Sequence, residues 1–267
     1  VDEIEKIERT PVSVDVIQIK DSYQKVSSVS EVLSERAGVQ VKSFGGLGSY
    51  STVSIRGTNP NQVAVFLDGI PLNDAKFGEV NMENLPINNL ERIDVYRGFT
   101  PASFGVSGIG GAVNLVTKKS REYSMNIVSA SYGSFDTSRI TVSRSQKIKG
   151  FDYMVYFDRT GSKGNFPFKD DNGTPVFNEF DDRWVKRVNN EHYSYVATVK
   201  AGYEENGYRI SCLNDFFYKK QGLPGMNSNN VYKMNFSTMR NISSLNFSKQ
   251  KLFIDNINLD FKFFYSL

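Results

Sequence analysis

The chain has 267 residues, of which 39% are hydrophobic, 13% aromatic and 23% charged, with a formal net charge of +3. That is too apolar for disorder, and with no run of roughly 18–20 uninterrupted apolar residues it is too polar for a helical membrane protein. Lys and Arg alternate with Asp and Glu, so charge makes no case for nucleic acid. A single cysteine, Cys212, excludes an internal disulfide and a thiolate metal cluster, and a single histidine, His192, argues against a Ser-His-Asp triad or a zinc site.

The chain opens at Val1 without a charged and apolar leader; the expectation is a removed signal peptide or a start inside the gene. Residues 1–120 read as a small α+β domain. Val12 to Ile19 alternates as a strand, and Ser30 to Ala37 reads as a helix with a serine cap, Glu31 in its first turn and Gly38 as its stop. Short strands are expected at 39–41, 53–55, 63–67, 93–96 and 112–116. The turns between them carry Gly45, Gly46, Gly48, Gly57, Gly69 and the run Gly108, Gly110, Gly111. Phe44 to Gly48 (FGGLG) lacks the following Lys-Ser/Thr and helix of a phosphate loop, and the 108–111 glycines lead into a strand, against dinucleotide binding.

From residue 121 to 267 the grammar changes to long alternating strands, about seven of ~10 residues or more, the length that crosses a bilayer at a tilt. Phe151, Tyr153, Val155 and Phe157 alternate with polar or mixed neighbours, as do Tyr193 to Tyr203 and Ile257 to Phe263. A short connection at Glu204 to Gly207 contrasts with long polar ones at Lys163 to Asn190 and Gln221 to Met239. Short turns at one end and long loops at the other are how outer-membrane barrels are built. A soluble sandwich with one solvated face is the other reading of this half.

Four stretches of the first half stand in series: Ser54 to Asn59 (SIRGTN), Val63 to Leu72 (VAVFLDGIPL), Leu90 to Gly98 (LERIDVYRG) and Phe104 to Thr117 (FGVSGIGGAVNLVT). In order and spacing this set resembles the plug domain of TonB-dependent outer-membrane receptors, and the IRGTN and DGIPLN-like wording is closest to the cobalamin-receptor subgroup. The resemblance implies an α+β plug followed by antiparallel transmembrane β-barrel strands. Such barrels have about 22 strands, and the residues after 120 are too few for them. The chain is therefore read as truncated, with an incomplete barrel. It also implies bacterial outer-membrane localisation and import of a scarce nutrient chelate by energy-coupled plug rearrangement. The ligand is left open among cobalamin, a ferric siderophore, haem and a saccharide. A TonB-type energy-coupling protein is the implied partner, its contact segment lying upstream of Val1, since Val1 to Arg9 does not clearly show it. No catalytic residue and no catalytic cofactor are implied.

By the same resemblance, substrate contacts fall on plug loops at the outer apex, at Ser49, Tyr50 and Ser51 and within Asn73 to Asn81. Tyr50 and Phe77 would stack on a flat ligand, with Asn73, Asp74, Lys76 and Glu79 as polar contacts. Arg56 and Arg97 would face barrel-wall glutamates and hold the plug in the lumen; without the resemblance they are surface arginines in turns. Asp170, Asp171, Asp181 and Asp182 would hold Ca²⁺ in an outer loop, or simply make that loop acidic and solvated. Two rival functions are a soluble or surface β-rich binding or adhesion module without transport, and an outer-membrane lipase or protease. The second needs a nucleophile–base pair that one histidine does not favour.

Overall fold

The computed structural model describes residues 14–19, 28–46, 48–74, 76–120, 122–171, 180–225, 233–250 and 258–267. The expected starts at Val12 and Ile257 and the segment Val1 to Arg9 lie outside them. The chain divides between Lys119 and Ser120 into two compact units.

The first unit runs β1 (Val14–Gln18), α1 (Val29–Ser34), β2 (Val39–Ser43), β3 (Ser51–Ile55), β4 (Val63–Leu67), β5 (Ile70–Pro71), β6 (Leu90–Arg97) and β7 (Gly111–Thr117). Five of these form a mixed sheet in the order β1-β6-β7-β4-β5, with β4 and β7 parallel, and β2 and β3 form a separate hairpin. Every residue of β4 and β7 is buried, which explains why both read as unbroken apolar runs rather than as alternation. Phe66 stacks at 4.6 Å on Phe104, with Tyr96 edge-on to both Phe99 and Phe104.

Two sequence features show their purpose here. Asp68 (φ 49°) and Gly69 (φ 77°) make the two-residue β4–β5 turn, in which both residues need positive φ. The Asp68 carboxylate accepts from the Thr117 backbone N–H and hydroxyl, and Asn114 Oδ1 accepts from Gly69 N at 3.0 Å, so β7 fixes the turn. At Gly108 a Cβ would fall 2.6 Å from the Ala64 nitrogen, and at Gly111 it would collide with the Tyr96 carbonyl, so the close backbone approach requires glycine. The helix differs from its expectation. Its cap is Ser28, which accepts from Glu31 N at 3.2 Å, because Ser30 is turned inward and bonded to Ser51 Oγ at 2.7 Å.

The second unit runs β8 (Met125–Gly133), β9 (Thr137–Ile148), β10 (Phe151–Ser162), β11 (Pro167–Asp170), β12 (Arg183–Lys186), β13 (His192–Glu205), β14 (Tyr208–Gly222), β15 (Asn235–Lys249) and β16 (Leu259–Ser266). Seven of them make one antiparallel sheet, β16-β15-β14-β13-β10-β9-β8, while β11 and β12 form a hairpin inside the expected 163–190 loop. The expected 221–239 loop is shorter than read. β15 begins at Asn235, opposite Gly222, because its polar first residues carry no apolar alternation signal.

The two faces of this sheet are chemically inverted with respect to a water-soluble sandwich. At one level across neighbouring strands stand Ile148, Phe151, Tyr203, Ile210, Phe247 and Phe261, each paired with the next. On the same face Val142, Val155, Phe157, Val199 and Leu245 are also exposed. The opposite face is buried and carries a polar network beside an apolar cluster of Met154, Tyr156, Val196 and Phe217. Asp158 accepts from Arg139 Nε (2.7 Å), Thr141 Oγ1 (2.7 Å), Thr160 Oγ1 (3.0 Å) and Tyr156 OH (3.3 Å), and Asp215 accepts from Thr198 Oγ1 (2.8 Å) and Arg240 Nη2 (3.0 Å). An exposed apolar band opposite a face whose buried carboxylates are paired is the pattern of a strand set built for lipid on one side.

Candidate functional site

Loop 44–50, between β2 and β3, starts as a hairpin closure: Phe44 N donates to Tyr50 O at 3.0 Å and Ser49 N to Gly46 O at 3.0 Å. Loop 73–79 is organised from within. Asp74 Oδ1 accepts from Lys76 N (2.7 Å) and Phe77 N (2.9 Å), and Gly78 N donates to Asp74 O (2.8 Å). The Phe77 and Lys76 amides hold the Asp74 carboxyl below the ordinary carboxylate range.

The two loops meet. Tyr50 OH donates to Glu79 Oε2 at 2.8 Å, and Ser51 N donates to Asn81 Oδ1 at 3.1 Å. Partial burial and then the Glu79 carboxylate push the Tyr50 hydroxyl up to about 12. Around this junction Phe44, Tyr50 and Phe77 expose their rings, with Phe44 5.8 Å from Tyr50. Lys42 Nζ lies 5.0 Å over the Phe44 ring and Lys76 Nζ 5.0 Å over Phe77. The result is a group of exposed aromatic rings accompanied by two lysines and by the Asp74 and Glu79 carboxylates, a set able to offer both apolar and polar contacts.

Not every expected contact is available. Ser51 is buried in β3, its hydroxyl bonded to Ser30, because the strand begins two residues before the expected start at Val53. Asn73 spends its amide inside the unit: Oδ1 accepts from Val65 N (2.8 Å), and Nδ2 donates to Val63 O (2.9 Å) and Gly78 O (2.8 Å). Ser49, Tyr50, Asp74, Lys76, Phe77 and Glu79 remain at the junction. Phe44 is missed by the sequence reading; the hairpin spacing that sets it opposite Tyr50 is the signal that would have found it.

Arg56 and Arg97 are neighbours across Gly38, their side chains 4.0 and 3.9 Å from where its Cβ would be. Arg56 (φ 53°) is exposed beside Gly57 in a tight turn. Arg97 is engaged within the unit, donating from Nη2 to Asp15 Oδ2 (3.0 Å) and Ala37 O (3.2 Å). The four acidic residues expected to hold Ca²⁺ do not converge. Asp170 ends β11 opposite Arg183, Asp182 pairs with Lys169 Nζ at 2.7 Å, and among the described residues no three metal-ligating side chains gather.

A small mixed-sheet domain bearing this loop junction is followed along the chain by antiparallel strands with an exposed apolar face. The family model described as "TonB-dependent Receptor Plug Domain" matches residues 6–112, which hold most of the first unit, and the strands that follow form an antiparallel sheet. Among curated relatives, the vitamin B12 transporter BtuB of Vibrio cholerae is 27% identical over 230 residues, covering 80% of this chain and 38% of the relative. Among solved structures, the unliganded ferric citrate transporter FecA superposes with a TM-score of 0.70 at 17% identity, over 99% of this chain and 41% of that one. The siderophore receptor PiuA of Acinetobacter baumannii gives a TM-score of 0.69 at 17% identity, over 96% and 36%. The chain thus spans well under half the length of these three proteins, which are named as transporters or receptors.

Proposed function

We propose that residues 1–120 are the plug and 121–267 the first barrel strands of a receptor that imports a scarce nutrient chelate, cobalamin or a ferric siderophore. Binding occurs at the junction of loops 44–50 and 73–79, and a TonB-type protein, acting through a segment upstream of Val1, drives a plug rearrangement that releases the ligand inward. The observation that carries this reading is the Tyr50–Glu79 bond, which ties two loops into one exposed aromatic surface. The vitamin B12 transporter relative favours cobalamin within that class. Arg56 is the arginine free to meet a barrel-wall glutamate first, with Arg97 following once its bond to Asp15 opens. A soluble binding module is disfavoured, because the sheet's apolar residues lie on its exposed side.

The test is equilibrium binding of cobalamin, ferric siderophores and haem to the receptor carrying its full downstream barrel. One chelate is expected to bind, and the double change Tyr50→Ala, Phe77→Ala should weaken it about tenfold or more, since each lost aromatic contact is worth roughly 0.5–1.5 kcal/mol beyond its area. Binding by none of them, or binding unchanged in the double variant, overturns the reading.

A further inference from the structure

The outward face of the second unit carries a cavity that the transport reading does not use. A groove of about 400 Å³ lies at the short-turn end of the sheet, walled by Tyr203, Tyr208, Ile210 and Phe247 and closed at its rim by Glu205 and Asn206. Cross-strand pairing puts these side chains on one face: Tyr203 opposite Ile210, Glu205 opposite Tyr208, and Ile210 opposite Phe247. Asn206 (φ 50°) and Gly207 (φ 75°) make the two-residue turn beneath them.

Two opposite charges are fixed at this rim by the tyrosines that wall the groove. Lys249 Nζ sits 3.5 Å over the Tyr208 ring and donates to Asn206 O at 3.0 Å. Tyr203 OH donates to Glu205 Oε2 at 2.9 Å. A cation and a carboxylate at the mouth of an apolar aromatic groove match a molecule with a phosphate, an ammonium group and a hydrocarbon tail. The short turns of such strand sets lie on the periplasmic side, where aromatic girdles and basic residues meet lipid headgroups.

We propose that this groove is a binding site for one glycerophospholipid with an amine headgroup. Its phosphate lies at Lys249, its ammonium at Glu205, and an acyl chain lies along Tyr203, Tyr208, Ile210 and Phe247. The inference rests on the reading of these strands as lipid-facing.

The experiment uses the full receptor in vesicles of phosphatidylethanolamine and phosphatidylglycerol, doped with a phosphatidylethanolamine bearing a photoreactive acyl chain. Mapped adducts are expected to concentrate on residues 203–210 and 247. Adducts spread evenly over the outward strand face would keep the membrane reading and overturn the site; no adducts on these strands would overturn both. This arm needs no variant and so does not depend on folding of one. In a second arm, phosphatidylethanolamine retained through detergent purification is counted by native mass spectrometry. Lys249→Met should lower retention about tenfold, and Glu205→Gln should remove the preference over phosphatidylglycerol. Equal retention of both lipids by the unaltered protein, or no change in either variant, overturns the proposal.

Discussion

The two units of this chain solve burial in opposite ways. In the first, Phe66, Ile93, Val113 and Leu115 are buried. In the second, the buried side sets Asp158, Thr198, Asp215 and Arg139 beside Met154, Val196 and Phe217, while Val155, Phe157, Leu245 and Phe263 are exposed. A strand's alternation creates two faces but does not say which solvent each meets. The first unit follows the rule for water, with apolar area withdrawn from it. The second follows the rule for a bilayer, where an outward apolar face costs nothing and inward polar groups must find partners.

The largest effect expected from this contrast is at Phe66, against which Phe104 packs. Phe66→Ala should destabilise the first unit by about 3–5 kcal/mol through a cavity and lost transfer energy, read as earlier denaturant unfolding of the plug in the intact receptor. A change of comparable size is expected from a polar residue in the second unit. Asp158→Ala removes the carboxylate that Arg139, Thr141, Thr160 and Tyr156 share, costing about 3–5 kcal/mol, whereas exchanging Arg139 and Asp158 together for apolar residues of similar volume should be close to neutral. A harmless Asp158→Ala would mean that the buried face is not held by its polar network.

The outward face gives the next effect. Val155→Arg places a cation on the exposed apolar side of β10 and should lower barrel stability in lipid by about 2–4 kcal/mol, falling toward zero near the interfaces. In a soluble sandwich the same exposed change would be within about 0.5 kcal/mol of neutral, so folding titrations into vesicles separate the two descriptions sharply.

The smallest effect is a pH dependence of the first unit. Burial and the neighbouring Asp94 push the Tyr96 hydroxyl up to about 12, as burial and Glu79 do for Tyr50. A folded-state value above the ordinary one near 10 favours the protonated form. The stability it contributes is complete below pH 10 and is lost as pH rises through about 12. In an alkaline titration of the phenolate absorbance, one late-titrating tyrosine should be lost in Tyr96→Phe and another in Tyr50→Phe. Ordinary titration of both would remove the account of their surroundings.

Much of this was legible in the residues. VAVFL and GAVNLVT announce strands buried on both sides, Asp68-Gly69 announces a tight hairpin, and the 108–111 glycines announce a close approach that Ala64 and Tyr96 confirm. The candidate site was legible only in part. Tyr50, Asp74, Lys76, Phe77 and Glu79 were readable as loop residues, but Phe44 was not, since its role depends on the hairpin register across Ser43 and Ser51. Ser51 and Asn73 look like loop contacts in sequence, yet one is drawn into a strand and the other satisfies three backbone groups.

By itself, then, the sequence determined the periods, the turns and the order of elements, because these follow from local backbone geometry and from the spacing of apolar side chains. Only the tertiary structure decided which face of each strand is buried, that Arg97 is engaged by Asp15 eighty-two residues away, that Asp182 pairs with Lys169, and that loops 44–50 and 73–79 join through Tyr50 and Glu79. Those outcomes depend on pairing between residues distant in the chain, and local propensity does not encode which distant partner a polar group will meet.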